Sequence, residues 1–314
     1  MSTETNAAPG APLDEKTVPA PLSETRPLYW SVRRELWEYR SIYVAPLAAA
    51  AVYMFGFLIS LVWVPHRMHG MMAPDSTPQL VVLAMPYAHA GMLLTLTGFI
   101  VGIFYSLDAL HGERRDRSIL FWKSLPVSDL TTVLSKASIP LVVLPLLVFA
   151  ITASLQIGMR LLYAIALLMG DKSAATLGTP RLFEMELVMV YSLIVIALWQ
   201  APVCCWCLLV SGWAKRATFL WAVFPPLALC VIEKIAFNTS YLTSVLVKDR
   251  FYGFVAASID LKDRNGVPID GHFIPLAQLA PGRFLSNPGL WVGLVFAAIF
   301  LAAAVRLRRY QGPI

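Results

Sequence analysis

Charge is scarce in this sequence. Asp, Glu, Lys and Arg make up 14% of its 314 residues, against about 25% in an average soluble domain. With 58% of the residues hydrophobic, that deficit excludes an ordinary soluble domain and points to a chain embedded in a membrane. Cysteine is sparse too. Cys204, Cys205, Cys207 and Cys230 all fall in apolar stretches, where a thiol behaves as a small apolar residue. Neither a disulfide framework nor a zinc site is expected, since positions i, i+1 and i+3 of a helix do not converge on one ion. The five histidines are scattered, and H-E-x-x-H and G-x-S-x-G are both missing, so no catalytic constellation is predicted. There is no Walker A loop: Gly170-Asp171-Lys172-Ser173 lacks the upstream glycine that would cradle a phosphate.

What the chain does have is six apolar runs, at 42–64, 86–107, 137–159, 187–211, 217–237 and 285–305. Most are close to the ~20 residues that carry a helix across ~30 Å of hydrocarbon. The first, third and fourth contain no Asp, Glu, Lys or Arg. The alternation of apolar and polar residues expected of barrel strands is missing, so the fold class is an all-α polytopic membrane protein with six transmembrane helices over 42–314.

The short loops orient the bundle. With the N-terminus inside, Arg26, Arg33, Arg34 and Arg40 precede span one. The same choice places Arg114, Arg115, Arg117, Lys123 and Lys136 in the loop after span two, Lys215 and Arg216 between spans four and five, and Arg306, Arg308 and Arg309 after span six. The outer loops hold only Arg67, Arg160, Lys172 and Arg181 before the long loop preceding span six, and such long loops count little in this rule. Both termini are therefore expected in the cytoplasm. The net charge of +6 then reflects this asymmetry and an affinity for anionic membrane lipids; nucleic-acid binding is not expected.

Residues 1–27 are rich in Pro, Ala, Ser and Thr and lack the apolar core of a signal peptide, which predicts a disordered cytoplasmic tail. Over 28–41 the residues Tyr29, Val32, Leu36 and Tyr39, continued by Tyr43, recur at steps of three and four among arginines. This spacing predicts an amphipathic helix lying in the membrane interface. After span one, His66, Met68, His69 and Met71 bring imidazole and thioether together, a pairing that suits soft metals such as copper. They are the chain's candidate metal ligands, although no carboxylate or Cys joins them.

The loop over 108–136 is the most distinctive stretch. It packs nine charged residues, Phe121-Trp122 and Pro126 between two apolar spans. Glu113 to Lys123 is predicted to form one short helix with Glu113, Arg114, Asp116 and Arg117 on its charged face. Pro126 ends that helix, and Ser128 or Asp129 caps the next, whose apolar positions Leu130, Val133, Leu134 and Ala137 run into span three. Charges beside large aromatics give the composition of a docking surface. The outer loop at 238–288 is too long for a connector and is predicted to be a structured lid. Within the spans, Glu233 beside Lys234 reads as a structural pair, Pro225-Pro226 as a kink that could act as a hinge, and Gln200 with Pro202 as a matching irregularity.

At this point the chain resembles the membrane subunits of type 2 ABC exporters. The resemblance covers nearly the whole chain: a connecting helix, six spans, a long outer loop before the last span, and above all the loop pattern ERRDRSILFWKSLPVSD at 113–129. It implies that this loop carries a coupling helix fitting a cleft on a separate ATPase subunit. Carried over by position, Glu113, Arg114, Arg117, Phe121, Trp122, Lys123, Leu125 and Pro126 would touch that ATPase. It also implies two copies of this chain with two ATPase subunits in a bacterial inner membrane, Mg-ATP held by the partner and no cofactor in this chain, and short re-entrant helices over 241–257. The rival readings are a self-contained secondary transporter, which would show a three-against-three span repeat and charge at mid-membrane, and a permease serving copper-enzyme assembly, resting on the 66–72 cluster.

Overall fold

The protein is described from a computed structural model over residues 25–68, 77–124, 127–169, 182–260 and 276–310. Among the described residues there is no β-strand, and six helical stretches are long and apolar enough to cross a membrane. The multi-pass, all-α reading holds. Ahead of the spans lies α1 (Thr25–Glu38), followed by α2 (Ser41–Met68) and α3 (Thr77–Asp108). The loop after α3 forms α4 (His111–Arg115) and α5 (Ser118–Ser124). Span three is built in three pieces: α6 (Asp129–Ser138), a π-helical turn (Ile139–Val143) and α7 (Leu144–Met169). Spans four and five are α8 (Leu182–Trp213) and α9 (Thr218–Phe237). A hairpin of short elements, α10 (Tyr241–Thr243), a second π turn (Ser244–Asp249) and α11 (Gly253–Ser258), leads through α12 (Pro281–Leu285) to span six, α13 (Pro288–Tyr310).

Several boundaries differ from expectation for identifiable reasons. Span two begins at Thr77, so Pro86 lies inside α3; the Tyr53 hydroxyl donates to the Pro86 carbonyl at 2.6 Å. The π turn of span three contains Pro140 and is followed by Pro145, neither of which can donate a backbone hydrogen bond. Leu144 N instead reaches back five residues to the Ile139 carbonyl, the widened spacing of a π turn. The Pro225-Pro226 pair does not break α9, which runs through to Phe237. Pro226 leaves the Ala222 carbonyl without its helical donor, and the indole of Trp206 on α8 supplies one at 3.0 Å. A helix-interior proline is tolerated when a neighbouring helix re-satisfies the freed group.

Burial ranks the spans. Inside this chain 61% of the α8 window is covered, against 11% for α9 and 17% for α2. The axis of the bundle is therefore α8, packed on α3, α7 and α13, with α9 at the periphery. The core joins Leu94 of α3, Ile139, Leu144 and Val148 of span three and Leu208 of α8. The hairpin, α12 and the start of α13 pack on the middle of α8: Ala257, Phe284 and Leu290 cluster with Val195 and Trp199. Glu233, expected to pair with Lys234, instead binds the entry to this hairpin. Its carboxylate accepts from Thr239 Oγ1, Tyr241 N and Leu242 N, each at 2.8 Å.

Candidate functional site

The polar loop folds back on the bundle instead of projecting as one helix. The helix predicted over 113–123 is two, because Arg117 adopts a left-handed φ of 58° that reverses the chain between α4 and α5. Such a conformation costs an L-residue about 1–2 kcal/mol, so the packing on both sides must hold it.

On one side α4 caps α8. The last carbonyls of an α-helix have no partner inside it and carry its negative end. Arg114 Nη1 donates to the Gly212 carbonyl at 2.6 Å, His111 Nδ1 lies 3.2 Å from the Ala214 carbonyl, and Leu110 N reaches Ser211 Oγ at 3.4 Å. Gly112 sits where a larger residue would be tight. A Cβ there would lie 3.1 Å from Tyr39 Oη and 3.3 Å from Asp108 Oδ2.

On the other side Glu113 is drawn into a buried charge cluster. Its Oε1 meets Arg34 Nη2 at 2.8 Å and Lys136 Nζ at 3.1 Å, and its Oε2 meets Arg308 Nη1 at 2.6 Å. Arg34 and Lys136 also converge on Glu35, at 2.6 and 2.9 Å, whose second oxygen accepts from the Tyr105 hydroxyl at 2.8 Å. Arg308 Nε extends the cluster to Asp129 Oδ1 at 3.2 Å. The side chains of Glu35, Lys136, Glu113 and Arg308 are 0–3% exposed. Three carboxylates thus face three cations, with the exposed Glu38 reaching Arg34 Nε at 3.8 Å from the rim, and burial is tolerable because the inner charges balance and are hydrogen-bonded. Burial opposes ionisation of Glu35, yet the charges of Lys136 and Arg34 win and hold its carboxyl below the usual range. The neighbouring Tyr39 phenol is pushed up by burial and by Asp108 and Glu35.

The cluster joins four elements: α1 through Arg34 and Glu35, α4 through Glu113, span three through Asp129 and Lys136, and span six through Arg308. α6, the start of span three, is N-capped by Ser128 Oγ accepting from Thr131 N, as the sequence predicted.

The expected docking residues divide by exposure. Glu113 and Arg114 turn inward, 2% and 6% exposed. Arg117 faces outward, and on α5 Ile119 is buried while Leu120 and Phe121 are 58% and 61% exposed. Trp122 and Lys123 belong to α5, and Leu125 and Pro126 lie outside the described residues. Of the candidate metal ligands, His66 and Met68 end α2, while His69 and Met71 lie outside the described residues. The connecting helix α1 turns Val32, Glu35 and Leu36 inward. Its outer face stacks the Arg33 guanidinium between Trp30 and Trp37, 5.2 Å from each ring, an arrangement suited to a membrane interface. Tyr29, assigned to the apolar stripe, is 59% exposed.

Sequence reading missed Glu35, Tyr105 and the convergence of Lys136 with Arg308. A signal existed for one of them: Glu35 stands three residues after Val32, on the inward stripe of α1. No family model, curated protein or solved structure matches the chain.

Proposed function

We propose that this chain is the membrane-spanning permease subunit of an ATP-driven exporter, working as a pair with a second copy and driven by two separate ATPase subunits that bind Mg-ATP. The observation that carries the reading is the two-faced loop. Arg117, Leu120 and Phe121 present an exposed surface of the composition that anchors interfaces. Directly behind it, Glu113 is ion-paired to the connecting helix, span three and span six. A displacement of α5 by a docked ATPase therefore reaches three elements at once through short, buried, charge-assisted contacts, without needing a flexible linker.

The basic residues of the loop and of the α13 end support a cytoplasmic position for this face, and in this reading the membrane is a bacterial inner membrane. Because the chain lacks a phosphate-binding loop, the partner supplies ATP hydrolysis. The test is to purify the tagged chain in mild detergent from its native host. A stoichiometric partner with a Walker A motif and ATPase activity is expected, and Phe121→Ala with Arg117→Ala should lower its recovery at least about tenfold, the effect of losing ~1.4 kcal/mol. A lone chain without ATPase activity would overturn the proposal.

A further inference from the structure

Arg250 closes the second π turn of the hairpin and is held on α8 from both ends. Its carbonyl accepts from Trp199 Nε1 at 3.1 Å and from Gln200 Nε2 at 3.0 Å. Its side chain returns to the same helix, where Nη1 donates to the Trp199 carbonyl at 2.7 Å and the guanidinium lies 5.2 Å from the centre of the Trp199 ring. On the other side is α13. Gly293 leaves room for the guanidinium, since a Cβ there would lie 2.7 Å from Nη2 and 2.8 Å from Nη1. Trp199 and Gly293 each stand about 20 Å along their helices from the ends that carry Trp213 and Arg306, so this cation lies within the depth of a ~30 Å hydrocarbon layer.

The cations of the charge cluster are matched: Arg34, Lys136 and Arg308 each have a carboxylate within 3.1 Å. Arg250 is not. No carboxylate of the described residues lies within 4.0 Å of it; α8 has no Asp or Glu from Leu187 onward, α13 has none at all, and the adjoining Asp249 is exposed. Its hydrogen bonding is incomplete as well. Nη1 has the Trp199 carbonyl, but nothing among the described residues accepts from Nε or Nη2. Those two nitrogens share one edge of the guanidinium, an edge that can receive both oxygens of a carboxylate or phosphate. Nor is the edge sealed off, because Arg250 is only half-buried and neither nitrogen belongs to the buried polar atoms that lack a partner. A charge at membrane depth is costly, and such residues are paired or mark the path of a ligand.

We infer that the Nε–Nη2 edge of Arg250 binds the anionic head, a phosphate or a carboxylate, of an amphipathic molecule lying in the bilayer. The head supplies the missing counter-charge and the missing acceptors together. The tail stays among lipid chains, so the site needs no enclosed cavity. Trp199 and Gly293 fix the guanidinium between α8 and α13, which presents the edge already oriented and lowers the cost of binding. The same side chain latches the hairpin to α8, so the head group is held at the point where the hairpin meets the bundle. None of this depends on the ATPase reading.

The test uses the full chain in phosphatidylcholine nanodiscs and two photoreactive probes, a diazirine-bearing hexadecyl phosphate and its neutral dimethyl ester. The parent chain should be labelled on the hairpin and α13 around Arg250, with the phosphate favoured at least about tenfold, the lower end for hydrogen bonds to a charged group. Arg250→Gln should abolish that preference. Arg250→Lys keeps the charge but not the two-pronged edge and should retain only part of it, a graded response that a merely structural latch would not give. Added phosphatidylglycerol should displace the phosphate probe if a membrane phospholipid is the natural occupant; undiminished labelling assigns the site to another anionic amphiphile. Equal labelling of the parent chain by phosphate and ester, or a phosphate preference that survives Arg250→Gln, would overturn the inference, and the first of these results needs no variant to fold.

Discussion

Replacing Glu113 by Gln keeps the side-chain volume and an acceptor but removes one charge from a cluster in which three carboxylates face three cations. The variant leaves Arg34, Lys136 and Arg308, all within 3.1 Å of the original carboxylate, with one negative charge too few. Each lost pair is worth on the order of 5 kcal/mol of Coulomb attraction at an effective dielectric constant near 20, and the desolvation of the carboxylate that is no longer required offsets much of it. Deleting one partner of a buried pair costs about 3–5 kcal/mol in measured cases, and Glu113→Gln should fall in that range. At about 2 °C per kcal/mol for a chain of this size, the purified protein in detergent should lose roughly 6–10 °C in thermal unfolding. Arg115→Gln, which removes an exposed charge paired only with Asp116, should change it little. Restoring neutrality with Glu113→Gln and Arg308→Gln together should recover part of the loss, a coupling of about 0.5–3 kcal/mol. A Glu113→Gln protein that unfolds within a degree of the parent, or a double variant worse than the sum of the singles, would refute the charge-balance argument.

Two further outcomes follow from the same contacts. The folded value of the Glu35 carboxyl lies below its unfolded value, so its charge stabilises the fold above about pH 4.3 and that contribution is lost as pH falls through the folded value; thermal scans from pH 7 to 3 should show a steeper acid loss for the parent than for Glu35→Gln, and parallel curves would contradict the assignment. Trp206→Phe removes the donor that replaces the missing Pro226 N–H at the Ala222 carbonyl and should cost about 1–3 kcal/mol, the range for a buried group left unsatisfied, seen as a lower unfolding temperature; an unchanged value would mean that the carbonyl finds another donor.

The spans were legible because length and hydropathy alone decide them, and the start of α6 because Ser128 and Asp129 carry the chemistry of a helix N-terminus. The loop was legible as a polar feature but not in its form. Nothing about Arg117 announces a left-handed turn, since the residue that favours one is glycine, and the two faces of Glu113 and Phe121 separate only once that turn is made. The cluster itself joins residues far apart in sequence: Glu113 meets Arg34 across 79 positions and Arg308 across 195. Charge read locally suggests solvent, and only the packing of α1, α6 and α13 around one point turns these residues inward. Gln200 was legible as an irregularity in span four, while its hydrogen bond to the Arg250 carbonyl joins it to a residue fifty positions away.

The central claim is that the exposed face of α5 receives an ATPase. It is tested most directly by placing a cysteine at Phe121 in a background with Cys204, Cys205, Cys207 and Cys230 replaced, and treating membranes of the native host with a short thiol-to-amine cross-linker. The account predicts a cross-linked product containing a chain with a Walker A motif, formed from Phe121→Cys and not from a cysteine at the buried Ile119. Cross-linking to no such chain, in membranes where an ATPase subunit of this kind is expressed, would contradict it.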